Sequence, residues 1–120
     1  MTTLKRRKLG LTLNEPESAG GYTLYAPQTG NGRVVLLNIM GQVVHEWNLP
    51  TRPGRDAVIL PNGNLGYSGC MKAFPDLYPA FELWHGGWFM EVTPGGDIVW
   101  DHEDPYHHHD VQWLDNGNIL

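Results

Sequence analysis

The stretch Asn62-Gly63-Asn64-Leu65 recurs as Asn116-Gly117-Asn118-Ile119, 54 residues further along the chain. Asn-Gly between apolar runs is typical of a tight β-hairpin, because both central turn positions then tolerate positive φ. The similarity continues upstream, where residues 41–46 (Gly-Gln-Val-Val-His-Glu) match residues 96–101 (Gly-Asp-Ile-Val-Trp-Asp). The chain therefore contains an internal repeat of about fifty residues.

Each repeat predicts four short strands, most of them rich in Val, Ile, Leu or Trp. No window supports a long amphipathic helix, because Pro and Gly interrupt every candidate. A four-stranded unit with a period near fifty predicts an all-β protein built from the blades of a β-propeller. The predicted strands are residues 33–38, 43–47, 56–60 and 64–68 in the first repeat and 88–92, 97–102, 111–114 and 118–120 in the second.

The repeats also predict the domain organisation. Residues 1–21 form an irregular lead-in, and residues 22–120 form a partial propeller with blade-like repeats at about 33–68 and 88–120. Residues 22–26 predict a further strand that joins the ring by pairing with the last blade. A closed propeller needs ~4–8 blades, so about two blades indicate the N-terminal part of a longer protein. A small self-sufficient β-domain, or one that closes as a homo-oligomer, is the alternative.

Composition and charge exclude several classes of partner. The chain is 41% hydrophobic, yet no apolar run is long enough to cross a bilayer, so no membrane partner is expected. The net charge is −5, and outside the basic segment 5–8 only four basic residues stand against 13 acidic ones, which argues against nucleic acid. Residues 9–14 are too short and too polar for the apolar region of a signal peptide, which favours the cytoplasm. A single cysteine, Cys70, excludes an internal disulfide.

Candidate chemistry is concentrated in residues 101–110, which hold four of the six histidines. If this segment is extended, alternation places His107 and His109 on one side and His108 and Asp110 on the other. A carboxylate beside a histidine can accept its ring N–H and fix which nitrogen carries the lone pair.

Three interpretations of these histidines stay open from residue types alone. They can handle an anion such as sulfate or phosphate, as donors, acid, base or nucleophile. They can bind a metal through His107, His109 and a carboxylate, although contiguous histidines match no defined zinc spacing. They can also be a polar loop that caps backbone groups.

Arg55 occupies the repeat position of His109, so we expect both to face one anion-binding channel, unless Arg55 pairs with Asp56 or Glu46 on the surface.

Four segments of the chain carry a family resemblance. Residues 21–27 (Gly-Tyr-Thr-Leu-Tyr-Ala-Pro), 34–47, 60–65 and 103–118, with His-His-Asp followed by Asn-Gly-Asn, resemble the start of an arylsulfotransferase propeller. The resemblance implies a six-bladed propeller that moves a sulfuryl group from an aryl sulfate donor to a phenol acceptor. It implies a transiently sulfated histidine, no nucleotide sulfate donor or other cofactor, and export from the cytoplasm.

The resemblance also implies the roles of individual residues. His108, His109 and Asp110 map to supporting catalytic positions, and we expect Arg55, Tyr106 and His107 to contact the substrate. The nucleophilic histidine belongs to a later blade and is assigned to no residue of this chain. No metal is assigned. Aromatic side chains at Trp84, Trp88, Tyr106 and Trp113 either stack on the aryl ring or fill the space between blades.

Two other functions use the same scaffold. Residues 96–100 (Gly-Asp-Ile-Val-Trp) resemble part of the docking motif of quinoprotein dehydrogenase propellers, although the usual upstream Thr is missing. A non-catalytic binding propeller is the other alternative.

Overall fold

Two antiparallel sheets make up the protein. The computed structural model describes residues 10–71 and 86–120, and within them it contains seven strands and no helix. The N-terminal sheet has the order β1-β2-β3 and the C-terminal sheet the order β4-β5-β6-β7. An all-β fold is thus confirmed. The strands are β1 (Tyr22–Tyr25), β2 (Arg33–Asn38), β3 (Val43–Asn48), β4 (Pro53–Ile59), β5 (Leu65–Cys70), β6 (Gly87–Val92) and β7 (Ile98–Glu103).

The predicted strands are mostly present, but their grouping into sheets was predicted wrongly. The four strands expected to form one blade over residues 33–68 divide between the two sheets, two in each. The C-terminal sheet instead joins β4 and β5 of the first repeat to β6 and β7. Sequence repeats and hydrogen-bonded sheets are therefore out of phase. The bounds 1–21 and 22–120 stay a prediction.

The strand predicted over 22–26 is β1, and one of its edges pairs with β2. Its pairing with the last blade stays a prediction. Four register pairs join the two strands, from Tyr22 opposite Asn38 to Tyr25 opposite Val35. Residues 10–21 precede β1 without forming a strand and are exposed. Among residues 10–71 and 86–120 no helix has the length and apolar character needed to span a bilayer.

The two Asn-Gly turns have the same geometry. In the first, Gly63 donates its N–H to the carbonyl of Leu60 at 2.9 Å, and in the second Gly117 donates to Leu114 at 2.9 Å. Only the glycines adopt positive φ, 86° and 84°, while the asparagines do not. The turns are thus three-residue hairpin loops ending in a left-handed glycine, and not the two-residue type expected.

The second of these turns belongs to a C-terminal hairpin, residues 111–120. Gln112 and Leu120 exchange two backbone hydrogen bonds, of 2.9 and 3.0 Å, and Trp113 forms an isolated bridge with Ile119. The predicted strands 111–114 and 118–120 are therefore paired with each other, although neither extends into a named strand.

The hydrophobic core lies between the two sheets. It contains Val34, Trp47 and Leu49 from the N-terminal sheet and its following loop. The C-terminal sheet contributes alternate residues of β5 and β6, which share one face because side chains alternate along a strand. We call this the inner face, and its fully buried members are Leu65, Tyr67, Met90 and Val92.

Side chains of the edge strand β3 also tie the two sheets together. The indole N–H of Trp47 donates to the carbonyl of Thr93 at 3.0 Å, and His45 Nε2 lies 2.8 Å from the carbonyl of Pro94. Both acceptors belong to the β6–β7 turn. These bonds fix the N-terminal sheet against one end of the C-terminal sheet.

Candidate functional site

The C-terminal sheet has a second face, the outer face, whose strands carry small, polar and aromatic residues. Register pairs align Gly66, Glu91 and Trp100 in one row across β5, β6 and β7, and Ser68, Phe89 and His102 in another. Residues after β7 return over this face. These residues include the predicted site histidines, which therefore lie over the outer face.

A short turn after β7 sets up the histidine loop, residues 104–110. Asp104 donates its backbone N–H to the carbonyl of Gly87 at 2.8 Å, which extends the β6–β7 ladder by one bond. Its side-chain Oδ1 accepts the backbone N–H of Tyr106 at 2.9 Å, as in an Asx turn. The chain then reverses, so that His107 lies against the sheet while the Tyr106 side chain stays 67% exposed.

His107 is the histidine that packs against the sheet. Its ring meets Phe89 edge to face, with centroids 4.6 Å apart. Nε2 lies 3.0 Å from the backbone carbonyl of Asp110, so Nε2 carries the proton and donates it. In the neutral ring Nδ1 is therefore the lone-pair nitrogen, and Nδ1 is buried without a hydrogen-bond partner in residues 10–71 and 86–120.

Ser68 on β5 supplies a second unpartnered atom at the same place. The residue is fully buried, and its Oγ makes no hydrogen bond among the described residues. A Cβ added to Gly86 would lie 2.8 Å from His107 Nδ1 and 2.9 Å from Ser68 Oγ. Both atoms therefore lie close to Gly86, on the side of this glycine where a Cβ would project.

Burying polar groups without partners is costly, by about 1–3 kcal/mol for each group. Folded proteins keep few such groups, and clusters of them call for an explanation such as a bound water, an ion or a functional role. Two beside one glycine, one of them a histidine nitrogen, mark this as the candidate site.

The other two histidines of the loop contact each other. His108 Nδ1 lies 2.7 Å from His109 Nδ1, and the rings meet nearly at right angles. One nitrogen must donate and the other accept, so the two rings share one proton between them. This contradicts the predicted alternation, in which His108 and His109 point to opposite sides.

A local backbone feature explains that error. His109 has φ of 75°, and within the described ranges only Asn31 shares positive φ among non-glycine residues. A left-handed residue bends an extended chain, so the two-residue period does not hold here. Such conformations cost about 1–2 kcal/mol and are concentrated at functional sites.

Asp110 contributes its backbone and not its carboxylate. Its carbonyl accepts from His107, while the residue itself is exposed. The acceptor for the His107 ring N–H is therefore the Asp110 backbone carbonyl, and not an aspartate carboxylate as the sequence suggested.

Arg55 lies in β4, at the edge of the sheet away from β7. The register places Pro53 opposite Gly69 and Ala57 opposite Tyr67, so residues 54–56 bulge opposite the single residue Ser68. Bulges of this kind often adjoin binding sites. The structure thus brings the Arg55 segment and Ser68 to one level of the sheet, while a shared channel for Arg55 and His109 stays a prediction.

One alternative partner for Arg55 is engaged elsewhere. Glu46 forms an exposed ion pair with Arg33 at 2.7 Å and accepts a second hydrogen bond from Asn48. The Arg33 guanidinium lowers the pKa of the Glu46 carboxyl through this hydrogen bond.

The metal interpretation finds no support. No group of three His, Cys, Asp or Glu side chains in the described part of the chain is arranged to hold a metal ion.

Of the aromatic candidates, Trp113 packs over the outer face and Trp88 donates its indole N–H to Asp101, whereas Trp84 lies outside the described residues.

Sequence reasoning missed Ser68, Phe89 and Gly86. Ser68 lies within the unremarkable strand Leu65–Cys70, and Gly86 has no special backbone conformation. These residues contact the histidine loop only because the loop folds over the sheet.

No protein-family model, curated protein or solved structure matches this chain.

Proposed function

We propose that the protein belongs to a sulfuryl-transferring β-propeller of the arylsulfotransferase type, in which the histidine loop helps to hold the transferred group. The observation that carries the proposal is that His107 Nδ1 and Ser68 Oγ, both buried and without a partner among the described residues, lie beside the same glycine, Gly86. The two packed sheets of consecutive hairpins supply the scaffold.

A sulfate ester matches the chemistry of this pair. Its oxygens accept hydrogen bonds and carry growing negative charge as the S–O bond to the phenol breaks. Preorganised donors in a site that excludes water stabilise such charge best. Ser68 offers an O–H donor, and His107 offers a second donor at Nδ1 when its ring is protonated.

The contact with Asp110 makes His107 suitable for this role. Because Nε2 is committed to the Asp110 carbonyl, the ring cannot flip without losing a hydrogen bond. The edge contact with Phe89 also restricts the ring. His107 therefore presents the same nitrogen to the site in each protonation state.

The His108–His109 pair fits proton transfer. A proton shared over 2.7 Å can pass toward a departing phenolate while the partner ring stabilises the resulting state. In the first displacement a histidine outside this chain forms an S–N bond as the phenolate leaves with a proton. In the second, the acceptor phenol gives up its proton, its oxygen forms the new S–O bond, and the S–N bond breaks.

The proposal is tested by binding of 4-nitrophenyl sulfate to the 120-residue chain, followed through the imidazole nitrogen signals in NMR. We expect saturable shifts of the His107 signals, and weak or no binding of 4-nitrophenol, which lacks the anionic group. His107→Gln keeps a donor for the Asp110 carbonyl but removes Nδ1, so its affinity should fall at least about tenfold.

The chain provides a matched control in His45. Its ring also meets an aromatic neighbour edge to face, Trp47 at 4.3 Å, and its Nε2 also lies against a backbone carbonyl. His45 contributes no buried orphan atom among the described residues. His45→Gln should therefore leave ester affinity unchanged. Equal binding by 4-nitrophenol, or equal losses in both variants, would contradict the proposal.

A further inference from the structure

A cavity of about 530 Å³ lies between the two Asn-Gly hairpins, away from the histidine loop. One wall is the β4–β5 hairpin, another is the C-terminal hairpin, and the strands β6 and β7 contribute Glu91 and Trp100. None of residues 104–110 lines it. This volume lies in the range of sites for small molecules.

Two tryptophans meet in this cavity at nearly a right angle. Trp100 and Trp113 have interplanar angle 78° and centroids 5.9 Å apart. A ligand in the corner between perpendicular rings contacts one face of each. Indole faces carry negative electrostatic potential, so such a corner attracts an organic cation.

The charged residues around the cavity also favour a cationic ligand. Glu91 and Asp115 line it, and the described lining residues include no Lys or Arg. Asn62 and Asn64 donate to Glu91 at 2.8 and 2.6 Å, and both bonds are made to Oε1. The carboxylate is thus held in place, while Oε2 makes no hydrogen bond within the described residues.

The N–H edge of Trp113 is turned toward the sheet and not into the cavity. Its Nε1 is buried, and a Cβ added to Gly66, a residue that does not line the cavity, would lie 3.0 Å from it. The recognition available in the cavity is therefore that of the indole rings and the carboxylates.

We propose that this cavity binds a small organic ammonium compound, with the cation in the Trp100–Trp113 corner near Glu91. This inference is independent of sulfuryl transfer, since the two sites share no residue.

The test uses the 120-residue chain and follows indole N–H signals by NMR during titration with choline. We expect saturable shifts of the Trp100 and Trp113 signals, assigned with Trp100→Phe and Trp113→Phe. The probe for charge is 3,3-dimethylbutan-1-ol, the neutral compound of the same shape as choline. It should bind at least about fivefold more weakly. Equal affinity for the two compounds, or no saturable shift with either, would overturn the proposal.

Variants separate the parts of the site. Glu91→Gln keeps an oxygen for Asn62 and Asn64 while removing the charge, so choline affinity should fall about threefold or more and affinity for the neutral alcohol should not. Asp97→Asn, an exposed carboxylate in the β6–β7 turn, is the matched control and should change neither. Similar choline affinity in Glu91→Gln and the unaltered protein would contradict the role given to the carboxylate.

Discussion

The two faces of the C-terminal sheet differ in how their buried polar groups are satisfied. The inner face places Leu65, Tyr67, Met90 and Val92 against the N-terminal sheet, and its one deeply buried polar side chain, Tyr67, donates its hydroxyl to the carbonyl of Thr51 at 2.7 Å. The outer face accounts for every buried side-chain nitrogen or oxygen that lacks a partner in residues 10–71 and 86–120: Ser68 Oγ, His107 Nδ1 and Trp113 Nε1.

This difference separates stability from binding capacity. Apolar burial with satisfied polar groups stabilises a fold, whereas unpartnered donors cost stability unless a ligand engages them. Neighbouring residues of β5 illustrate both, because Tyr67 faces inward with its hydroxyl bonded and Ser68 faces outward with its hydroxyl unbonded. Substitutions on each face test whether the two faces are divided in this way.

The largest effect is expected from the inner face. Met90 is fully buried, so Met90→Ala should lower the free energy of unfolding by about 2–5 kcal/mol through lost burial and a residual cavity. Urea unfolding measures it. Val99→Ala, at an exposed position of β7, should change stability by about 0.5 kcal/mol or less. Comparable losses in both variants would show that the inner face is not the core.

Gly86→Ala should have the next largest effect, on the outer face. Its Cβ would come within 3 Å of both orphan atoms, so the His107 ring must move, at a cost of about 1–3 kcal/mol. The measurement is urea unfolding together with the chemical shifts of the His107 ring. Gly95→Ala is the control, because the nearest atom to its Cβ is 3.6 Å away. Unchanged His107 shifts in Gly86→Ala would show that the histidine loop does not close on the sheet.

Tyr67→Phe should lower stability by about 1 kcal/mol at neutral pH, since it leaves the Thr51 carbonyl unpaired. Burial raises the pKa of Tyr67, so the unfolded chain loses this proton first, at about pH 10. Stability gained from the neutral phenol is complete below that pH and is lost as pH rises above it. Urea unfolding at a series of pH values should show this loss in the unaltered protein and a smaller one in Tyr67→Phe. Parallel curves would rule the linkage out.

Ser68→Ala should have the smallest effect and the opposite sign. Removing a buried hydroxyl that has no partner should raise stability by up to about 1 kcal/mol. The same change should weaken 4-nitrophenyl sulfate binding several-fold if the outer face is a binding site. Both are measured on one preparation, by urea unfolding and by NMR titration. A loss of stability with unchanged ester affinity would place Ser68 with the structural residues.

Local patterns predicted the strands well because they depend on neighbours in sequence. Strand β2 is found at the predicted residues, and the hairpin ending at Gly63 follows from the turn residues that surround it. Which strands share a sheet could not be predicted in the same way. The repeat in the sequence has no marker for the point where one sheet ends, and the break falls between β3 and β4, inside the first repeat.

The candidate site was predicted only in part for a similar reason. The histidine-rich composition correctly drew attention to residues 101–110, but the positive φ of His109 overrides the alternation that an extended chain would show. Ser68 and Gly86 are 39 and 21 residues away from His107 in sequence, and only the return of the chain over the outer face brings them together.

The phase difference between repeats and sheets has a consequence for how such a chain can grow or shrink by duplication. Each copy of the repeat completes one sheet and begins the next, so adjacent copies are joined by hydrogen-bonded strands as well as by a peptide link. Deletion of residues 42–96, one whole copy, would place β7 where β3 now follows β2 and would leave a strand of matching pattern at that edge. The number of copies can therefore change by duplication or deletion without leaving a sheet that lacks part of its strands.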